Sequence, residues 1–298
     1  MRNSQVFFLL SFLSIFLFSC QNQEVQKSEV ANNQSEEVLE EYPKLPTEMS
    51  LFGEQILLDN FDIRERLDKE IIVNTYYHSS TIQILKKAHR YFPMIERILK
   101  EEGIPDDMKY LCVIESALNQ ATSPSGAKGF WQFMPAAGKE NGLTINKEVD
   151  ERFHVEKSTR AACDYLKTAR RNFKDWVLAS ASYNCGIGGL KRVMKAQEAE
   201  SFFDLYMNRE TTRYVFRIMA LKLLMENAAA YGFDREKMEL YEPIETRKIE
   251  VKESIADLAV WAKENGSNLR MLKVLNPWLI SNKLTISGST YIIELPAK

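Results

Sequence analysis

Helical periodicity from Leu51 to about Tyr241 is the feature that most constrains the fold of this chain. The region consists of long amphipathic runs with few β-branched alternations, such as TIQILKKAHRYFPMIERILKEEG at residues 81–103. Gly103, Pro105 and several glycine-containing loops interrupt these runs. We therefore predict a mostly helical domain over residues 45–243. Within it, STRAACDYLKTARRNF predicts a helix with Ser158 and Thr159 as candidate N-cap residues.

The pattern changes near Glu245. The stretches TRKIEV and STYIIEL are typical of short strands, and they enclose two amphipathic segments, IADLAVWAKENG and LRMLKVLN. The order strand, helix, helix, strand predicts a small α+β module over residues 244–298. The predicted fold class is therefore mainly α, with a small C-terminal α+β module.

The N-terminal residues have the pattern of an export signal. Residues 1–20 contain Arg2, an apolar run and a final LFSC, and this run is too short for a membrane span but suits a signal-peptide core. The LFSC ending resembles a bacterial lipoprotein lipobox, although Phe18 is unusual there. The resemblance implies acylation of Cys20 and a lipid anchor in a membrane; an uncleaved anchor or an ordinary secretion signal is the alternative. Residues 21–44 are rich in polar residues and predict a flexible linker.

Composition and motif searches exclude several classes of function. The 39 basic and 41 acidic residues give a net charge of -2, so the electrostatic signature of a nucleic-acid binder is absent. The three histidines form no HExxH motif or paired ligand spacing, and there is no GxSxG elbow or phosphate loop. Cys112, Cys163 and Cys185 show no metal-ligand spacing. The sequence therefore predicts no metal site and no cofactor.

A carboxylic acid interrupts an apolar helical stripe. Leu111, Ile114 and Leu118 follow helical spacing, and Glu115 occupies the remaining position on that stripe. A buried carboxylate without a partner costs several kcal/mol, so Glu115 must be either paired or functional. An ion-paired structural role is the plain alternative.

Two later segments carry groups that suit a sugar. The segment SPSGAKGFWQF contains two glycines that permit tight turns and three aromatic residues whose flat faces suit sugar rings, although core packing is their default role. The segment LASASYNCGIGG ends an apolar helix with Tyr183 and Asn184, which can form hydrogen bonds to a polar ligand.

These three segments resemble the ordered motifs of family 1 lytic murein transglycosylases: ES at 115–116, GAKGFWQFMP at 126–135 and ASYN at 181–184. YFPMIERILKEEGIPDDMKYL, VDERFHVEKSTRAACDYL and RETTRYVFRIMAL extend the resemblance to the membrane-bound D-type branch, with a motif core over residues 95–225. The resemblance implies a fold like that of goose-type lysozyme. His154 and Cys185 depart from the family pattern, which bears on local loop packing.

The resemblance assigns Glu115 as the single catalytic acid and base. Apolar neighbours should raise its pKa and keep it protonated near neutral pH. The implied reaction cleaves the β-1,4 bond between N-acetylmuramic acid and N-acetylglucosamine without water, and it forms 1,6-anhydro ends. The substrate's own acetamido group would replace the second carboxylate of ordinary glycosidases.

The resemblance also implies a set of substrate-binding residues: Ser123, Gln132, Met134, Tyr183, Asn184 and Tyr214. Ser123 could equally be a turn former before Pro124, and both tyrosines could be core residues with a satisfied hydroxyl group.

The C-terminal module resembles a lysin motif (LysM), a small βααβ glycan-binding unit with an Asn-Pro pair, here Asn276-Pro277. KES replaces the usual Gly-Asp-Thr, so we predict no individual binding residues. The expected partners are peptidoglycan glycan strands, and the expected location is the periplasmic side of the cell envelope, as a lipoprotein of the outer membrane. Three alternatives stay open: a goose-type hydrolase in which Asp150 positions water, a non-catalytic peptidoglycan-binding lipoprotein, and a cysteine enzyme using Cys185 and His154.

Overall fold

The computed structural model describes residues 44–288 and 290–297. The predicted signal peptide at 1–20, the acylation site at Cys20 and nearly all of the linker at 21–44 lie outside these residues. The predicted fold class is confirmed: the described chain is mostly helical and ends in a small α+β module. No helix in the described part of the chain is long and apolar enough to cross a membrane.

The described chain begins with a β-hairpin, so the prediction of helix from Leu51 onwards is wrong at its start. Strands β1 (Glu48–Leu51) and β2 (Glu54–Leu57) pair antiparallel. Phe52 and Gly53 form the turn with φ values of 54° and 85°, as expected for a two-residue hairpin loop. Each strand has four residues, and so short a strand gives too few alternations to show a period of two.

Eight α-helices follow the hairpin within the described part of the helical domain. Asn60 caps the first of them, because its side chain accepts hydrogen bonds from two backbone N–H groups of the first turn. The helices are α1 (Phe61–Tyr76), α2 (His78–Glu101), α3 (Lys109–Ser116), α4 (Pro135–Glu140), α5 (Val155–Phe173), α6 (Trp176–Cys185), α7 (Ile187–Gln197) and α8 (Arg209–Glu226).

Helix α5 begins earlier than predicted. His154 occupies the N-cap position, so the prediction that Ser158 or Thr159 caps this helix is wrong. Both side chains lie inside the helix, where the Thr159 hydroxyl donates to the carbonyl of Val155 at 2.7 Å. The same hydroxyl accepts a hydrogen bond from the indole N–H of Trp131 at 2.9 Å. Thr159 therefore ties the helix to the loop that carries Trp131.

Helix α8 lies at the centre of the helical domain. It packs against α1, α3 and α6, and most of its apolar residues are fully buried. On the α1 side, Arg213 makes two hydrogen bonds to the buried carboxylate of Glu70 at 2.5 and 2.9 Å. On the α3 side, the Arg217 guanidinium donates to the carbonyl of Ile114 at 2.9 Å. The contact of Arg217 fixes the C-terminal end of α3, where Glu115 lies.

The C-terminal module has the predicted order of elements. Strands β3 (Thr246–Val251) and β4 (Tyr291–Pro296) pair antiparallel, and helices α9 (Leu258–Glu264) and α10 (Leu269–Leu275) lie between them in sequence. The Asn276 side chain joins α10 to β4, because it donates to the carbonyl of Glu294 at 2.6 Å and accepts from its N–H at 2.8 Å. The small core of the module also contains Val149, which belongs to the helical part of the chain.

Candidate active site

Glu115 lies in the last turn of α3, where the helix ends abruptly. Ala117 and Leu118 follow with φ values of 50° and 55°, so two consecutive residues adopt the left-handed conformation. Such backbone is strained for residues other than glycine and persists only where the surroundings impose it. Leu118 is buried beneath this turn, whereas Glu115 remains partly exposed. The carboxyl group can therefore reach a ligand.

The surroundings of Glu115 favour its protonated form. The Tyr214 hydroxyl of α8 donates to Glu115 Oε1 at 2.6 Å. Burial among apolar groups raises the pKa of the Glu115 carboxyl, and repulsion from Glu210 adds to this increase. The Tyr214 hydrogen bond and the charge of Arg217 oppose it, but the net pKa is above the ordinary value. The predicted direction of the shift is thus confirmed.

The tyrosine and asparagine of the third motif are held at the end of α6. The Tyr183 hydroxyl donates to the carbonyl of Trp131 at 2.9 Å, so it is satisfied by the backbone of the second motif. Asn184 accepts from the hydroxyl of Thr211 at 2.8 Å and donates to the Glu210 carboxylate at 3.3 Å. The Tyr183 side chain thus connects α6 to the loop that contains Trp131, and the Asn184 side chain connects α6 to α8. Burial raises the pKa of the Tyr183 hydroxyl, and the charge of Glu115 adds to this increase.

The loop between α3 and α4 forms a compact set of turns over residues 119–134. Lys128 bridges to both Thr122 and Phe133, and the N–H of Gly129 donates to the carbonyl of Ala121 at 2.9 Å. Gln132 has a φ of 46°, and its side-chain amide donates to the carbonyl of Gly129 at 2.7 Å. Hydrogen bonds within the loop therefore hold part of its backbone.

The loop has several exposed residues, but its three aromatic side chains are not among them. Phe130, Trp131 and Phe133 are buried, which is the default role of such aromatics, so they offer no open face to a sugar. Met134 is 44% exposed and can contact a ligand. The Ser123 hydroxyl accepts a hydrogen bond from the N–H of Ala127 at 3.0 Å, as a turn former does, and it retains its own hydrogen for donation.

A buried ion pair between Asp150 and Arg152 supports the backbone of this loop. Arg152 donates to both carboxylate oxygens of Asp150, at 2.8 and 2.7 Å, and to the carbonyls of Gly126 and Phe133, at 3.0 and 3.1 Å. Lys128 also donates a hydrogen bond to Asp150, at 3.2 Å. Desolvation opposes ionisation of Asp150, but these cations prevail and lower its pKa. Asp150 is thus occupied by structural partners, which argues against its use in positioning water.

Other chemistry has little support in the described residues. Between residues 44 and 297, apart from residue 289, no group of three or more His, Cys, Asp and Glu side chains could hold a metal ion. Burial raises the pKa of the Cys185 thiol, which disfavours the reactive thiolate. The raised pKa therefore argues against a cysteine mechanism that uses Cys185 and His154.

Sequence reasoning missed the roles of Arg152, Arg217 and Glu210. Arg217 lies three positions after Tyr214 on α8, so helical spacing places both on one face and could have indicated a shared site. Arg152 left no such signal, because its partners at residues 126 and 133 are backbone carbonyls.

Two parts of the chain match the profiles of known domain families. Residues 92–205 match the profile of the transglycosylase SLT domain, and residues 247–298 match that of the soluble lytic transglycosylase C-terminal LysM-like domain. The chain is 29% identical over 250 residues to the membrane-bound lytic murein transglycosylase D of two Escherichia coli strains, K12 and O6:H1. The aligned region covers 79% of this chain and 52% of each relative, so the chain spans about half their length.

Two solved structures resemble parts of the chain. One is the 70 kDa soluble lytic transglycosylase of Escherichia coli, with a TM-score of 0.42 and 17% identity over 59% of this chain and 33% of that chain. The other is an inactive variant of lytic transglycosylase Slt from Pseudomonas aeruginosa, with a TM-score of 0.40 and 21% identity over 47% of this chain and 24% of that chain.

Proposed function

We propose that this chain is a peptidoglycan lytic transglycosylase that cleaves the bond between N-acetylmuramic acid and N-acetylglucosamine, with Glu115 as its single acid and base. The observation that carries the proposal is Glu115, a partly exposed residue whose carboxyl pKa is raised by burial and whose carboxyl accepts a hydrogen bond from Tyr214. A carboxylic acid that stays protonated near neutral pH can give its proton to a leaving group.

In the first step, Glu115 donates its proton to the glycosidic oxygen as the bond from that oxygen to the anomeric carbon breaks. The carbonyl oxygen of the substrate's 2-acetamido group forms a new bond to the anomeric carbon, so no second protein carboxylate is needed. The Tyr214 hydroxyl stabilises the Glu115 carboxylate left by this step.

In the second step, the Glu115 carboxylate takes the proton from the C6 hydroxyl of the muramic acid sugar. The C6 oxygen attacks the anomeric carbon and displaces the acetamido oxygen, which restores the N-acetyl group. The product carries a 1,6-anhydro ring, and Glu115 is again protonated. Water takes no part, so no residue is required to position it.

The remaining predicted residues would line or shape the groove around Glu115. Met134 is the exposed apolar contact, and the free hydrogen of the Ser123 hydroxyl suits the acetamido group. The side chains of Gln132, Tyr183 and Asn184 are engaged within the protein. We propose that these three residues affect substrate binding mainly by fixing the positions of the second and third motifs relative to each other.

The test uses purified sacculi and mass spectrometry of the released fragments, comparing the wild type with Glu115→Gln. We expect fragments that are one water lighter than hydrolysis products from the wild type and none from the variant, since glutamine cannot transfer the proton. Exclusively reducing ends would instead identify a hydrolase. Binding to sacculi by both proteins without any release would identify a non-catalytic binding protein.

We further propose that the chain works at the cell envelope on the periplasmic side, as a lipoprotein anchored through Cys20 in the outer membrane. The sequence LFSC and the membrane-bound nature of its Escherichia coli relatives support this location. The wild type should incorporate labelled fatty acid in growing cells, and Cys20→Ser should not. Absence of label from the wild type, or equal labelling of both proteins, would rule out a lipid anchor at Cys20.

A further inference from the structure

The C-terminal module packs against one segment of the helical domain, residues 148–154. Val149 is 1% exposed and lies within the apolar core of the module, beside Leu279. The backbone continues this contact, because the N–H of Asp150 donates to the carbonyl of Trp278 at 2.9 Å and the N–H of Ile280 donates to the carbonyl of Glu148 at 3.0 Å. The segment thus pairs with the module as a short strand would.

Side chains on both sides of Val149 extend the interface. The Glu148 carboxylate accepts from the N–H of Thr285 at 2.7 Å and from Lys283 Nζ at 3.0 Å. The ring of His154 stacks on Trp278 with centroids 5.7 Å apart, and Trp278 stacks in turn on Tyr291. The contact therefore combines an apolar centre, backbone pairing and a charged rim, as in stable interfaces.

The same segment supports the loop of the second motif from its other side. Asp150, whose N–H binds the module, holds Arg152 through two hydrogen bonds, and Arg152 donates to the carbonyls of Gly126 and Phe133. Arg152 is 3% exposed, so these bonds are shielded from water. Gly129 approaches the carbonyl of Arg152 so closely that a Cβ atom there would lie 1.9 Å from its oxygen.

We propose that the C-terminal module positions the loop at residues 119–134 beside Glu115 by holding residues 148–154, with Arg152 as the positioning residue between them. This role differs from retention on a glycan, and its catalytic part rests on the function proposed above. A site whose supporting residues loosen loses turnover even when its own side chains are intact. The module would thus act on catalysis through a chain of buried contacts.

The test undocks the module in the full chain with Val149→Asp, because a charge placed in an apolar core opposes burial. Val260→Asp, at a position that is 53% exposed on the module, is the matched control. Glu148→Ala is a milder variant that removes only the rim contacts to Thr285 and Lys283. Val149→Ile should preserve the interface.

The first measurement is amide hydrogen exchange, which needs no activity. We expect Val149→Asp to accelerate exchange about tenfold or more at residues 121–133, including the N–H groups of Lys128 and Gly129, as well as at Asp150 and Ile280. Glu148→Ala should give a smaller change at the same amides. Val260→Asp and Val149→Ile should match the wild type. Faster exchange at Asp150 and Ile280 alone would overturn the proposal, since docking would then not reach the loop.

The second measurement separates positioning from glycan retention. On soluble glycan strands, undocking should lower kcat about tenfold with KM little changed, because a displaced loop affects the transition state. A rise in KM with unchanged kcat would mean that the module only binds substrate, and it would overturn the proposal. If the wild type releases no anhydro products while the exchange of the loop still depends on Val149, the proposed function fails and the structural coupling stands.

Discussion

At the scale of single residues, the site is a balance of opposing effects on Glu115. Burial and the negative charge of Glu210 favour the protonated acid, whereas the Tyr214 hydroxyl and Arg217 favour the carboxylate. A group that must both give and recover a proton requires its two forms to be close in free energy. The opposing partners therefore suit the two roles proposed for Glu115.

This balance predicts the pH dependence of a Tyr214→Phe variant. The reaction begins with protonated Glu115, so the rate should fall as the pH rises through the Glu115 pKa. Removing the Tyr214 hydrogen bond destabilises the carboxylate and raises that pKa further. The alkaline limb of the kcat/KM profile should therefore move to higher pH, which initial rates on soluble glycan strands across pH would measure.

Glu210→Gln is the matched variant, and it should shift the pKa of Glu115 in the opposite direction. It removes the repulsion that raises the pKa of Glu115 and retains an oxygen that can accept from Asn184. The alkaline limb should move to lower pH. Shifts of both variants in the same direction would mean that a change of local structure, and not electrostatics, controls the limb.

At the scale of elements, the loop between α3 and α4 depends on close backbone packing. Gly129 has a φ of 78°, and its missing side chain leaves room for the carbonyl of Arg152. Gly126 has a φ of 88°, but a Cβ atom added there would meet no other atom within 4 Å. Both positions favour glycine for their conformation, but only Gly129 is restricted by space.

Alanine substitutions at these two glycines should separate the effects. Gly126→Ala should lower the free energy of unfolding by about 1 kcal/mol, the cost of a left-handed alanine. Gly129→Ala adds a clash with backbone, so we expect a loss of ~3 kcal/mol or more. Denaturant unfolding of both variants provides the comparison. Equal losses would show that the approach to Arg152 does not constrain the loop.

Elements were predictable where their sequence shows a clear periodic pattern. The long helix α2 and the strands and helices of the C-terminal module gave clear periodic patterns, and the structure confirms them. The hairpin at residues 48–57 and the true start of α5 did not, because short strands and caps depend on contacts that leave little periodic signal. The Thr159 hydroxyl, expected at a cap, instead binds the indole of Trp131.

At the scale of the whole molecule, the contact between the module and the helical domain should weaken in acid. His154 lies in this contact, where burial and then Lys157 lower its pKa from 6.5 to about 4. Lys248 acts in the same direction, and Glu151 and Glu156 oppose it. The unfolded chain binds this proton below about pH 6.5 and the folded protein only below about pH 4.

Between these two pH values the unfolded state binds more protons, so stability is lost as the pH falls, by at most ~3 kcal/mol. His154→Gln cannot bind the proton and should lose less stability over the same range. Thermal unfolding of both proteins at pH 7.5 and pH 4.5 measures the difference. Parallel losses in the two proteins would exclude His154 as the responsible group.

Periodicity and local spacing were enough to establish the helical class, the strand, helix, helix, strand order of the C-terminal module and the out-of-place carboxylate at Glu115. The order of the three motifs came from their resemblance to a known family. The partners that meet Glu115 became known only from the folded chain, since Tyr214 comes from a helix 99 positions away. The same holds for the hydrogen bonds of Arg152 to the carbonyls of Gly126 and Phe133 and for Val149, which completes the core of the module. Such contacts join residues that are distant in sequence or bind to backbone atoms, and neither leaves a periodic pattern in the chain.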